Sequence, residues 1–172
     1  ALLFTQYCIS AAESMQAKIV RFVSSSQNTP IYHTASRLGF ARQTSISLCR
    51  AETLNGEKSK LYKDIADEQP LLLQTINSSS VLKAMGGLCS TGWRYSQLDT
   101  VQLRKNIKEQ AVKAYFIEEK RAAIAIIGTG APWEGLVIHY ADGDPEALEK
   151  LLLELRKEGF ERNLKIISSR LP

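Results

Sequence analysis

The sequence predicts an α+β protein: N-terminal helices, then a βαββαβ ferredoxin-like antiparallel sheet with two helices. Three observations predict it. From Leu98 to Leu171 the apolar periodicity reads helix, strand, strand, helix, strand. Start and stop signals bracket nearly every element of that stretch. A short apolar run, Leu71–Ile76, stands where the first strand of the pattern belongs.

The elements follow in order. Ile9, Ala12, Met15, Ile19 and Phe22 recur at helical spacing, which predicts a helix over 9–23. The polar cluster 24–28 ends it. Thr29 before Pro30 predicts a helix start, with the hydroxyl as cap and proline in the first turn. That second helix runs over 31–38 and breaks at Gly39; a third covers Arg42–Arg50. Asn55-Gly56 suits a hairpin turn, since both residues tolerate positive φ. The hairpin would pair 51–54 with 58–62, in competition with a helix over 58–67. After the strand 71–76, Ser78–Ser80 cap a short helix over 81–85, and 88–95 is irregular or extended. Asp99 with Gln102 three residues on forms a capping box for a helix from Thr100 to Glu119. The run 122–127 is apolar on both faces, as in a central strand, and 136–140 is its neighbour. Asp144-Pro145-Glu146 opens a helix whose stripe is Leu148, Leu151, Leu152 and Leu155, closed by Gly159. Residues 164–167 form the last strand. The domains expected are a basic helical region, 1–56, and an α+β sandwich, 57–172, with its ordered core over 98–171.

Charge divides the 172 residues unevenly. The net charge is +4, yet residues 51–172 balance 17 cations against 17 acids. The excess lies in residues 1–50, where Lys18, Arg21, Arg37, Arg42 and Arg50 face one acid, Glu13. The same stretch holds 12 serines and threonines. Such asymmetry points to a nucleic-acid contact, a basic arm or a targeting segment. No apolar run reaches the ~20 residues that span a bilayer, so no membrane partner is expected. Cys8, Cys49 and Cys89 stand about forty residues apart, with no Cys/His cluster that would hold zinc.

Ile31–Arg50 has the spacing of a helix-turn-helix, with Ala35 in the first helix, Gly39 at the turn, and Leu38, Phe40 and Leu48 around it. Arg42, Gln43 and Thr44 would open the second helix, where base edges are read in the major groove. Arg37 and Arg50 would meet phosphates. Thr34 and Ser45 depart from the pattern, standing where apolar residues belong. Two other readings fit the same residues: packing helices with a solvated basic face, or an organelle transit peptide rich in Arg and Ser and poor in acids.

The loop Gly128-Thr129-Gly130-Ala131-Pro132-Trp133-Glu134-Gly135 is longer than a tight hairpin needs. Gly128 and Gly130 could let the main chain approach a ligand on which Trp133 stacks, so that Gly128, Gly130, Trp133 and Glu134 form a ligand or partner loop; the plain alternative is a structural loop with Trp133 over the sheet edge. His33 and His139 stand alone, and no nucleophile has a base at readable spacing. No catalytic residue, cofactor or metal is therefore assigned. The expected function is that of a non-enzymatic, cytoplasmic, homo-oligomeric binding protein: a DNA-binding regulator whose sheet domain dimerises or senses a ligand. The alternative is a mitochondrial or plastid subunit or assembly factor in which residues 1–50 act largely as a transit peptide.

Overall fold

The computed structural model describes residues 2–18, 20–42, 44–66, 70–91 and 94–171. The chain divides into two compact units, 1–42 and 43–172. The first holds two helices, α1 (Leu2–Ser14) and α2 (Thr29–Arg37). Asn28, not Thr29, caps α2 by accepting from the Ile31 N–H, and Thr29 is already helical. Phe22 and Phe40 meet edge to face at 5.1 Å. Ala35 is the one buried residue described in this unit. The helix expected over 9–23 ends at Ser14.

The second unit is a mixed α/β structure around a six-stranded, mostly antiparallel sheet. Its strands are β1 (Ser47–Glu52), β2 (Tyr62–Asp64), β5 (Val112–Ile117), β6 (Lys120–Thr129), β7 (Leu136–Gly143) and β8 (Ile166–Leu171), in the order β1-β8-β7-β6-β5-β2. Only β7 and β8 run parallel. A separate hairpin pairs β3 (Leu88–Thr91) with β4 (Arg94–Gln97). The helices are α3 (Pro70–Ser78), α4 (Ser80–Ala84), α5 (Thr100–Lys108) and α6 (Pro145–Glu161).

Several expectations need correction. The Arg42–Arg50 helix is absent: Ser47–Glu52 is a strand paired to β8, where Leu48, Cys49 and Ala51 satisfy the ladder. The sheet therefore begins inside the stretch read as the basic helical region. Leu71–Ile76 lies in a helix, not a strand. Proline opens α3, and Leu72 and Ile76, one turn apart, are both fully buried. The α5 helix stops at Lys108, since Gln110 takes φ +52 and the Ala111 N–H reaches back to the Asn106 carbonyl. The chain then extends as β5, and Glu118-Glu119, both at positive φ, make the two-residue turn into β6. Asn55-Gly56 makes no hairpin, because β1 and β2 lie at opposite sheet edges.

The helices cover both faces of this sheet. On one face α6 packs Ala147, Leu151 and Leu155 against Ala125, Ile127, Leu136, Ile138 and Ile167. On the other, Leu72, Ile76, Leu82, Cys89, Leu103 and Ile107 pack on Val112, Ile124, Ile126 and Tyr140. Ile138 and Tyr140 stand two residues apart on β7, where simple alternation would give them one face, yet they join opposite clusters, and a bulge between them accounts for it. Ile126 and Ile127 of β6 oppose Tyr140 and Ile138, which leaves His139 as the extra residue.

Residues 53–61 form an extended strap from β1 to β2 across α6. Its anchors step around the helix. Thr53 lies against Gly159, where a Cβ would come within 2.7 Å of the threonine methyl. The Leu54 N–H donates to the Arg156 carbonyl at 3.1 Å. Lys157 Nζ donates to the Glu57 carbonyl at 2.9 Å, and the Ser59 N–H to Glu154 Oε2 at 2.9 Å. Gly159 is thus the crossing point and not the helix end, and Asn163 at φ +58 follows the C-terminus.

A buried charge cluster fastens the far end of the strap. Lys113 and Glu158 are each 3% exposed. Lys113 Nζ lies 2.9 Å from Glu158 and 2.5 Å from Asp64. The Tyr62 hydroxyl and Arg162 also donate to Glu158. Burial alone would push the Glu158 carboxyl up, but the Tyr62 hydroxyl and the Lys113 and Arg162 charges hold it below its ordinary value. Lys113→Met, which leaves the Glu158 carboxylate to Tyr62 and Arg162, costs up to about 3 kcal/mol in urea unfolding. Lys113→Met combined with Glu158→Leu costs less than the single change. Because the folded pKa is depressed, this contribution is complete above the ordinary pH 4.5 and is lost as pH falls below it; Glu158→Gln flattens that slope.

Gly135 marks the tightest packing on the sheet. It takes φ +66, and a Cβ there would lie 1.9 Å from the Ile166 carbonyl oxygen. Gly135→Ala therefore destabilises by about 3 kcal/mol, read as a lower urea midpoint at unchanged slope.

Candidate functional site

A second buried polar cluster lies where β7, β8 and β1 meet. β8 alternates strictly: Ile167 enters the α6 core, so Ser168 and Arg170 face the opposite side. Arg50 is directly opposite Ser168 on β1. Glu134 closes the loop before β7 and is buried with Arg170.

Glu134 is used in full. One carboxylate oxygen pairs with Arg170, and the other accepts the Ala131 N–H at 3.2 Å. Its main-chain carbonyl accepts from the Ser168 hydroxyl at 2.9 Å. The Ala131 hydrogen bond, then Arg170 and Arg50, hold its carboxyl below the usual range against the opposing effect of burial. The Gly130 N–H donates to the Gly135 carbonyl at 2.9 Å, which closes the loop. A Cβ on Gly130 would meet Val137 at 2.6 Å and Glu134 at 2.7 Å, so this glycine makes room for the loop's own side chains. Gly128 does the same for His139, whose Nε2 lies 2.4 Å from where its Cβ would be. Trp133 is 63% exposed and does not cover the sheet edge.

Beside this corner is a cavity of about 140 Å³ lined by Cys89, Ser96, Gln102, Asn106, Gly128 and His139 among others. Burial lowers the His139 pKa, with the Ser90 main chain opposing, so the ring is neutral near pH 7. Its Nδ1 is buried and makes no hydrogen bond to a described residue. Burial pushes the Cys89 thiol up to about 11, so it carries no thiolate at neutral pH. The cavity thus offers a neutral ring, amides, a hydroxyl, a thiol and the Glu109 carboxylate, groups that can bind a ligand by hydrogen bonding. Among the described residues no group of three or more His, Cys, Asp or Glu could hold a metal, and no helix is long and apolar enough to cross a membrane.

The residues expected to meet nucleic acid are divided between the two units. Arg37 ends α2 and Arg42 follows it, both exposed in the first unit. Gln43 lies outside the described residues. Thr44 is half-buried and outside any helix, and Arg50 is on a strand of the second unit. Without a helix over 42–50, the second helix of the expected helix-turn-helix is not found among the described residues. Of the loop residues, Gly130 packs against Glu134, and Glu134 joins Arg170 and Ser168, partners that the sequence reading missed; Gly128 lies against His139 and Trp133 is exposed. The last strand runs on past Ile167 through Ser168-Ser169-Arg170, a polar stretch that carries no apolar strand signal in the sequence.

No family model, no curated protein and no solved structure matches this chain.

The thiols separate by burial. Cys8 and Cys49 are exposed and Cys89 is buried. Iodoacetamide at neutral pH should add two groups to the native protein and a third only in denaturant, read by intact mass.

Proposed function

We propose that this chain is an organelle-targeted, non-enzymatic binding subunit. Residues 1–42 act as its address, and the sheet unit is its working part. One observation carries the reading. Ala35 alone is buried among the described residues of 1–42, whereas the second unit builds two apolar clusters. In α1, Leu3 is 81% exposed, and Phe4 and Tyr7 are exposed with it. A segment that exposes its apolar residues, carries Lys18, Arg21, Arg37 and Arg42 against Glu13 alone, and buries almost nothing suits recognition as an extended or helical address. The transit boundary moves upstream of Ser47, because β1 is part of the sheet and must survive processing. Within the working part, the Gly128–Gly135 loop is the partner contact: Glu134 and Arg170 fix it, and Trp133 projects as an exposed aromatic anchor.

Incubation of the radiolabelled full chain with isolated mitochondria and plastids tests the address. The expected result is uptake into one of them with trimming upstream of Ser47, while a chain starting at Thr44 stays outside and keeps its melting temperature. Exclusion of the full chain from both organelles, or unfolding on removal of 1–42, overturns the reading. Retention of the full chain on DNA at low salt, lost on Arg37→Ala with Arg42→Ala, favours a DNA-binding regulator instead.

A further inference from the structure

We propose that β1 pairs with the β1 of a second copy of this chain, antiparallel, to join the two sheets edge to edge. The inference rests on main-chain geometry, independent of the targeting role of residues 1–42.

β1 is an edge strand of six residues, five of them exposed. Its hydrogen-bonding phase follows from one bond. The Thr53 N–H donates to the Lys165 carbonyl at 3.1 Å, and Thr53 is opposite Lys165 when the β1–β8 register is extended by one residue. In an antiparallel ladder, bonded and non-bonded pairs alternate. Residues 47, 49, 51 and 53 therefore spend their main-chain groups on β8, and Leu48, Arg50 and Glu52 turn theirs outward. The Glu52 carbonyl is already taken by Arg156 Nε at 2.8 Å. Leu48 and Arg50 are left with outward amides and carbonyls, a ready template for another strand.

Charge and geometry choose among the two-fold registers. Centring the axis on Arg50 sets two guanidinium groups directly opposite. Centring it on Ala51 requires the occupied Glu52 carbonyl and the chain beyond it, which has already turned onto α6. Centring it on Cys49 pairs Leu48 with Arg50 of the other copy, twice, and satisfies all four outward groups of each copy. Each Leu48, 54% exposed, then lies along the aliphatic stem of the opposite Arg50. On the α6 side the facing residues are Ser47, Cys49 and Ala51, small enough for close approach. The two Cys49 residues form a non-hydrogen-bonded pair with Cα atoms about 4.5 Å apart. That lies within the disulfide range of about 4.4–6.8 Å, so Cys49 reports the register.

The test uses the full chain with Cys8→Ser, since Cys8 is also exposed. Diamide oxidises two facing thiols to a disulfide, taking up their two electrons and two protons. Expected are a mass twice that of the chain by light scattering, diamide cross-linking that Cys49→Ser abolishes, and Leu48 and Arg50 amides whose hydrogen exchange slows as concentration rises. Leu48→Lys, which sets a cation beside the opposite Arg50, should return the single-chain mass with an unchanged circular dichroism spectrum and a melting temperature that no longer rises with concentration. A single-chain mass at every concentration, with fast exchange at Leu48 and Arg50, overturns the proposal. A dimer that Leu48→Lys leaves intact and whose Cys49 residues do not cross-link overturns it equally.

Discussion

The strap over α6 is the constraint on which the second unit depends. β1 and β2 are consecutive in the chain but stand at opposite edges of a six-stranded sheet. Five inter-strand gaps of about 4.8 Å separate them, and the steps from Glu52 to Tyr62 reach about 35 Å fully extended. Little slack remains for a turn once the path also crosses α6, so the strap runs extended and takes its hydrogen bonds from the helix and from Leu164 and Lys165. Those bonds join residues about a hundred positions apart, as with Thr53 to Leu164 and Tyr62 to Glu158. Its partners exist only once α6 has docked on the sheet, so the strap orders late by its chemistry. Glu154 and Glu158 follow from that role. They flank the apolar stripe of α6 because the strap and β2, rather than water, cover that side of the helix.

The second half of the chain was legible where local signals agreed with global position. Asp99 accepts from the Gln102 N–H as its capping pattern predicts, α6 opens at Pro145, and β6 and β7 lie over the two apolar runs. The failures have identifiable physics. Asn55-Gly56 carries a hairpin signal, but a turn there would leave the far edge without β2. Glu118-Glu119 carries no such signal and makes the turn, since pairing on both sides of it outweighs the cost of two positive φ angles. Leu71-Leu72-Leu73 is too short a run for periodicity to separate strand from helix, and Pro70 at the head of the run was the arbiter. Arg42–Arg50 read as helical on spacing, while its β-compatible end was claimed by a strand more than a hundred residues away.

The candidate site was less legible than the fold. The loop Gly128–Gly135 stood out by length and glycine content, and its closure by Glu134 is a local contact. Arg170 and Ser168 come from a strand thirty-odd residues downstream, and His139 is special only because a bulge makes it the unpaired residue of β7. A bulge leaves no composition mark. The buried lysine was in principle visible: Lys113 stands between Val112 and Ala114 in a run that alternates toward the core. A cation there needs a partner, and Glu158 on the facing helix provides it. Charge bookkeeping by chain segment, by contrast, misled. The arginines that make residues 1–50 basic fall in two units, and Arg50 contributes to the field that holds Glu134 ionised.

The two edges of the sheet are managed in opposite ways, and the contrast bears on what the second unit presents. β2 has three residues, is tied inward through Tyr62 and carries Lys63 and Asp64, so it gives another strand little to pair with. β1 is twice as long and lacks proline, lysine and bulge. An edge that repels pairing would place charge on both faces. β1 keeps its charges, Arg50 and Glu52, on one face and small residues on the other, with an exposed leucine beside the arginine. With an apolar cluster already built on each face of the sheet, a further strand added at this edge disturbs neither core. The strap sharpens this. By turning the chain onto α6 at Thr53, it ends β1 abruptly and limits the open stretch to the main-chain groups of two residues, which is enough to define a register and too little to template an indefinite stack.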